Sequence, residues 1–433
     1  MIPASKRALW SWALFDWANS PYTTLIITFV FSTYFTKAVA QDESQLWGTT
    51  QIISSVLIVC LSPIFGAIAD VMGNRKPWLM AFNALTVLGA AMLWFAVPEK
   101  SAVVPAMIWV VVSNIGFEFG ATFNSAMLPD LVPDERIGRW SGWAWGLGYA
   151  GGLVAMLFAL FGFVQAETPL FGIGKEAAAH VRVVGPLSAI WLVLFSWPLF
   201  VFTPDKPRTG ASLGTAVRGG FATLFKTFRE VRKYQNVARF MLARMFYNDA
   251  LTTIFIFGGT YAAIQFGMSF DEVIIFGIVL NVTAGLGAAG FAFIDDKLGS
   301  RTTIMISIVG LIIMSVAAVL VTDAKYFWAA GAMLGIFVGP AQAASRTMLA
   351  RLAPPALATE FFGLFAFTGK AISFLGPLVF TTLTQTFHSQ RAGMVGVVVF
   401  LVLGLVMMFT VKEANGRGAE PPLHGLETSP PRQ

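Results

Sequence analysis

The chain has 433 residues, 56% hydrophobic and 12% charged, with a mean hydropathy of +0.71 and a formal net charge of +6. This excludes a soluble globular chain and describes an integral membrane protein. The single cysteine, Cys60, excludes a disulfide framework, and a basic balance is what membrane proteins show when Lys and Arg collect on one side, so it is no sign of nucleic acid.

The first apolar segment contains LFDWANSPYTT, residues 14–24, with an aspartate, an asparagine and a proline where a spanning helix should begin. Lys6, Arg7 and the later Ala38-Val39-Ala40 imitate a cleaved signal peptide. The stretch is about twice the length of a signal core and is interrupted by Asp16, Asn19 and Pro21, which predicts a retained first span.

Windows of about 20 apolar residues, enough to cross roughly 30 Å of hydrocarbon, fall near 10–38, 47–69, 77–97, 103–127, 141–163 and 186–202. Six more fall near 240–266, 272–294, 302–321, 327–348, 360–386 and 392–411. Twelve spans put both termini on one side. Assigning that side to the cytoplasm places 21 Lys and Arg in inner loops and tails against 6 in outer loops, so both termini are expected in the cytoplasm, at the inner membrane if the source is bacterial. The expected organisation is a six-helix bundle over 1–202, a basic linker over 203–239, a second six-helix bundle over 240–411 and a disordered polar tail over 412–433. Eight of the 21 basic residues lie in the linker, where GFATLFKTFREVRKY reads as an amphipathic helix on anionic lipid.

The two halves repeat each other. Asp70, Gly73 and Arg75 after the second span recur as Asp296, Gly299 and Arg301 after the eighth, offset by 226. Shifting residues 127–148 by 221 lays Met127, Leu128, Leu131, Pro133, Gly142 and Gly148 on Met348, Leu349, Leu352, Pro354, Gly363 and Gly369 without a gap. Spans four and five therefore correspond to ten and eleven.

Two six-span repeats joined by a basic linker resemble the major facilitator transporters, and GAIADVMGNRK, residues 66–76, is similar to their signature between spans two and three. Glycine permits the tight turn, while aspartate and arginine at helix ends can pair with helix termini and charges of the opposite half, latching one access state. On this reading Asp70, Gly73, Arg75, Asp296, Gly299, Arg301 and an Arg346–Glu360 pair form a cytoplasmic gate. A narrower resemblance rests on ALFDWANSPYTTLIITFVFSTYF at 13–35, FNSAMLPDL at 123–131, GRWSGWAWGLGYAGG at 138–152, QAASRTMLARLAP at 342–354 and EFFGLFAFTGK at 360–370. These resemble the "unknown major facilitator" family, which includes the fungal vacuolar amino-acid effluxer of autophagy. The resemblance implies a secondary transporter exporting amino acids or similar small solutes; the chain is expected to act as a monomer by alternating access.

Five ionisable residues fall inside spans: Asp16, Glu118, Arg244, Asp249 and Lys370. Each costs roughly 2.5–3.5 kcal/mol near a helix centre, so together they would cost on the order of 10–17 kcal/mol facing lipid. They are expected to face the bundle interior. Helical spacing groups Asp16, Asn19, Ser20 and Thr23, then Asn114, Glu118, Thr122 and Ser125, then Arg244, Tyr247 and Asn248 as polar stripes lining a wet cavity. Pro21 frees the carbonyl of Trp17, adding a kink and a spare acceptor. Mutual pairing is the alternative role, Asp16 or Asp249 with Arg244 and Glu118 with Lys370; a pair that opens to take the ammonium and carboxylate of a zwitterion would serve both. Glu118 or Asp249 is the candidate carrier of a coupling proton.

Gly146, Gly148 and Gly151 match a dinucleotide pattern, but they sit inside a span and read as close helix contacts. His180, His388 and His424 lie in loops and tail without partners at metal spacing, so no metal and no cofactor is expected. No nucleophile–base pair for an intramembrane enzyme and no repeated charge ring for a channel is visible. Among transporters, efflux of hydrophobic or cationic compounds stays open beside amino-acid export.

Overall fold

A computed structural model describes residues 4–41, 43–229 and 231–413. The predicted tail, apart from its first two positions, lies outside the described residues. Among the described residues every regular element is helical, and ten helices are long and apolar enough to cross a bilayer. These make spans 2 to 6 (Ser44–Met72, Lys76–Met92, Val103–Leu131, Ile137–Ala159, Val184–Phe202) and spans 8 to 12 (Phe270–Leu298, Ser300–Leu320, Ala324–Leu352, Ala358–Ala371 with Leu375–Phe387, Gln390–Met408). Spans 1 and 7 complete the twelve, and they are the two whose apolarity is diluted by Asp16 and by Arg244 and Asp249. Span 7 runs Gln235–Phe266, starting five residues earlier than the hydropathy window because its first turns are polar.

Span 1 shows what Pro21 does. The helix is regular over Lys6–Pro21, widens to π geometry over Tyr22–Phe29, returns to α over Phe31–Tyr34 and widens again over Phe35–Val39. Without a proline N–H, the Trp17 carbonyl is free, and it accepts instead from Trp191 Nε1 of span 6 at 3.3 Å. The expected spare acceptor is thus used between two helices of the same half.

Spans 2 and 8 both end on a glycine with positive φ. Gly73 and Gly299 adopt φ of 87° and 86°, a region open to glycine, and their N–H groups close the last turn onto Ala69 and Asp295 carbonyls. The next helix of each half then starts on a carboxylate. Asp205, just beyond span 6, accepts from the Arg75 and Lys76 N–H groups at 3.0 and 2.8 Å. Glu413, just beyond span 12, accepts from Ser300 and Arg301 at 3.1 and 2.9 Å. Such caps answer free helix N–H groups and complement the helix dipole.

Within each half the same neighbours meet: span 1 on 5 and 6 and span 3 on 4 and 6, against span 7 on 12 and span 9 on 10 and 12. Between halves, span 2 packs on the first piece of span 11 and span 8 packs on span 5, two contacts exchanged by the repeat. The end carrying Ala8, Thr203, Asn236 and Lys412, joined by Thr203 to Ala8 and Asn236 to Lys412 hydrogen bonds, is called here the terminal end. Near it one buried core runs through both halves, from Trp12 and Phe123 to Tyr247 and Met348. At the far end the first half has its own core around Tyr22, Phe31, Phe35 and Leu93. The second piece of span 11 packs chiefly on spans 7 and 12. The halves are therefore fused at the terminal end and part towards the far end.

The linker helix spans Leu213–Arg229, beginning seven residues before the predicted amphipathic stretch, and the segment Val231–Tyr234 is a separate tight turn. One of its faces docks on span 2, where a Cβ at Gly220 would sit 2.9 Å from the Ile68 N. Phe221 and Phe225, one turn apart, remain exposed.

Candidate solute cavity and its closed end

The fused end is closed by carboxylates on helix starts of the opposite half. Asp70 accepts from the Thr359 and Glu360 N–H groups at 3.1 and 2.8 Å, capping span 11. Its repeat counterpart Asp296 accepts from the Arg139 N–H at 3.0 Å at the start of span 5, with Arg139 Nε at 3.3 Å from the other oxygen. A carboxylate cap contributes about 0.5–2 kcal/mol, and here that energy joins two domains instead of one helix. Close backbone contact adds to it: a Cβ at Gly66 would meet the Thr359 carbonyl at 2.5 Å and one at Gly363 would meet the Ser62 carbonyl at 2.5 Å. Ser62 Oγ donates to the Gly363 carbonyl at 2.7 Å.

The arginines do not repeat so simply. Arg75 is buried and donates to Asp130 and, at 2.7 Å, to Thr359 Oγ1, while Lys206 reaches Asp130 at 3.1 Å. Arg301 turns outward to the Met408 and Phe409 carbonyls. The second half's buried pair is instead Arg351 with Asp295 at 2.8 Å, joined by Ser300. The repeat carries the reason: 130 plus the offset of 221 is 351, so Asp130 and Arg351 are equivalent positions with reversed charge. That relationship is visible in the repeat of the halves, whereas Asp205 and Glu413 lie outside the repeated block and carry no such signal.

The expected Arg346–Glu360 pair is not formed. Arg346 donates from Nη1 to Asp16 at 2.8 Å, from Nε to Ser141 Oγ at 3.0 Å and from Nη2 to the Ser141 carbonyl at 2.7 Å. Span 10 is thereby tied to spans 1 and 5 of the other half. Glu360 is fully buried beside Asp70 at the start of span 11. The physical reason is depth: Arg346 stands about one and a half turns inside the end of span 10 at Leu352, where the indoles of Trp12 and Trp145 also face its guanidinium.

Above this floor lies the mid-depth set. Glu118 of span 4 and Lys370 of span 11 form an ion pair of 2.7 Å, with side chains 20% and 32% exposed. Asp16 keeps a weak second contact, from Asn124 Nδ2 at 3.4 Å. Asn19 and Asn114 are nearly buried, the Asn19 Oδ1 without a partner. Arg244 pairs with neither Asp16 nor Asp249: it donates to the Phe365 carbonyl at 3.0 Å and lies 3.4 Å from the Phe365 ring centre. Tyr247 is buried in the second half, sharing a 2.6 Å hydrogen bond with Ser345, so it is a core residue and no cavity wall. Asn248 contacts the Gly369 carbonyl at 3.5 Å, and Asp249 accepts from the Gly376 N–H at 2.7 Å. Each of the five in-span charges thus has a polar contact inside the protein, as the cost of exposing them to lipid demands.

A family model for "Vacuole effluxer Atg22 like" proteins matches residues 46–420. The chain belongs to the Atg22-like family. This Atg22-like chain is 27% identical over 409 residues to an uncharacterised MFS-type transporter, YxiO, of Bacillus subtilis, covering 93% of this chain and 94% of the relative. It is 23% identical over 403 residues to autophagy-related protein 22 of Kluyveromyces lactis, covering 84% and 78%. Its fold is similar to the human organic anion transporter MFSD10 (TETRAN), with a TM-score of 0.73 at 12% identity over 95% of this chain and 100% of that one. The proton:xylose symporter XylE gives a TM-score of 0.72 at 14% identity, covering 95% and 96%. The Atg22-like chain therefore has the major facilitator fold and is a multi-pass membrane transporter of that type.

Proposed function

We propose that the protein is a secondary transporter that carries a small zwitterion of the amino-acid class across the membrane by alternating access, working as a monomer. The observation that carries this reading is the Glu118–Lys370 pair. It joins the two halves at mid-depth, and both of its side chains are partly exposed. When the pair opens, a carboxylate and an ammonium stand ready for the ammonium and carboxylate of a free amino acid; when the solute leaves, they neutralise each other again. In low dielectric, unpaired partners would be costly, so the empty site resets itself.

The excess of basic residues at the terminal end supports placing that end in the cytoplasm. The closed floor built on Asp70, Asp296 and Asp16–Arg346 then acts as the inner gate, and the parted far end faces outward. The exposed Phe221 and Phe225 with Arg218, Lys226 and Arg229 on the linker helix fit an anionic lipid surface. A coupling proton has two candidate carriers, Glu118 and Asp249.

A thermal-shift screen of purified protein against amino acids, dipeptides and lipophilic cations, followed by uptake of the hits into proteoliposomes, tests the reading. Stabilisation and uptake of amino acids, lost in Glu118→Gln and Lys370→Met, are expected. Response to lipophilic cations alone would overturn the zwitterion reading in favour of cation efflux.

A further inference from the structure

Span 11 is broken at Ile372–Phe374, between Ala358–Ala371 and Leu375–Phe387. Span 7 fastens both pieces. Arg244 and Asn248 hold the first piece at Phe365 and Gly369, and Asp249 holds the second by accepting from the Gly376 N–H. Four residues further along span 7, Thr253 packs on the same glycine: a Cβ at Gly376 would lie 2.2 Å from Thr253 Oγ1 and 3.1 Å from Asp249 Oδ1.

Asp249 is 1% exposed, and its Oδ1 has no hydrogen-bond partner. The charged groups around it are all committed elsewhere. On its own helix Arg244 serves Phe365; on span 11 Lys370 serves Glu118; on span 10 Arg346 serves Asp16 and Ser141. On span 12, Arg391 stands near the far end and donates to the Val321 carbonyl. Span 8 carries Glu272 in its first turn, bonded to Ser269, and Asp295 and Asp296 near the terminal end. No cation lies within ion-pairing distance of Asp249 among the described residues. The start of Leu375–Phe387 answers one oxygen through the Gly376 N–H, but the other, buried and unpartnered, calls for a countercharge or a proton. Oδ1 is closed off from solvent, so no hydrated metal ion sits against it.

We propose that Asp249, and not the already neutralised Glu118, carries the coupling proton, and that its release to water opens the junction at Ile372–Phe374 and swings Leu375–Phe387 relative to Ala358–Ala371. The inference rests on the transporter reading but needs no cargo to be tested. The second piece of span 11 is the part free to move, since the first piece is clamped to span 2 by Asp70, Ser62 and Gly363.

Infrared difference spectra of reconstituted wild-type protein, stepped in pH, read the proton directly. A titrating carbonyl band of a buried carboxylic acid is expected, absent in Asp249→Asn and retained in Glu118→Gln. Spin labels at Gln385 and Lys100, in a background with Cys60 replaced, should report a far-end distance that changes with pH and loses that change in Asp249→Asn. If Asp249→Asn does not fold, Asp249→Glu decides: it keeps the carboxyl and should shift the band, and a band left unshifted would overturn the proposal. Absence of the band, its loss in Glu118→Gln, or a distance that follows sodium at constant pH would each overturn the proposal. Failure of amino-acid uptake would count against the cargo reading alone.

Discussion

Arg346 and Asp16, 330 residues apart, meet at 2.8 Å across the boundary between the two halves, with side chains 5% and 17% exposed. Removing one member of a mostly buried pair leaves the other uncompensated, at a cost of about 3–5 kcal/mol. Asp16→Asn should therefore lower the melting temperature. The double variant Asp16→Asn with Arg346→Met should be less destabilised than the sum of the singles, because the stranded charge is gone. Thermal unfolding of the four proteins in one detergent measures this. Additive losses would show that the two side chains do not act as a pair.

The carboxylate caps make a second, local prediction. Asp70→Asn should loosen the span 2–span 11 contact by about 0.5–2 kcal/mol, the usual worth of a cap. In a protein lacking Cys60, a cysteine at Ser62, now buried against Gly363, should then react with maleimide several-fold faster. An unchanged rate would mean that Asp70 does not hold the closed end.

Close backbone contact predicts which glycines tolerate a side chain. Gly363→Val places a Cβ 2.5 Å from the Ser62 carbonyl, whereas Gly258 and Gly48 have nothing within 4 Å. Gly363→Val should push the equilibrium away from closure, seen as cysteine accessibility at Ser62. Gly258→Ala and Gly48→Ala should behave as wild type in the same assay.

Glu413 provides a pH test outside the spans. Burial raises its pKa above the ordinary 4.5, against the lowering effect of the Arg301 N–H and the Arg351 charge. The folded state therefore holds this proton to higher pH than the unfolded chain does, and stability falls as pH rises through the range between the two values. Glu413→Gln, neutral at all pH, should match wild type below 4.5 and become the more stable of the two as pH climbs above it. Pairs of melting curves across that range decide; a constant difference would contradict the assignment.

Much of the architecture is legible in the sequence. Apolar windows and the Asp-Gly-Arg repeat follow from hydrocarbon thickness and helix-end chemistry, which act locally along the chain. Pairing is different. Glu118 and Lys370 can be matched from sequence because both are deep and opposite in charge. The sequence neighbours of Arg346 suggest an interfacial gate charge, although its partner Asp16 lies in the other half of the protein. The break in span 11 does leave a local trace four residues on: Pro377 has no N–H for the Ser373 carbonyl and its ring crowds it, as Pro21 does at Trp17. The hidden part is Asp249 of another helix, which accepts from Gly376 at the start of the second piece; tertiary contacts of this kind leave no periodic trace.

Transport itself tests the central claim that a polar pair shared by the two halves binds the solute. Uptake of a labelled amino acid, chosen by the thermal-shift screen, should be measured in proteoliposomes holding wild type, Glu118→Gln or Lys370→Met. At least tenfold slower uptake is expected in each variant, about 1.4 kcal/mol or more of lost stabilisation. Wild-type rates in both folded variants would contradict the account.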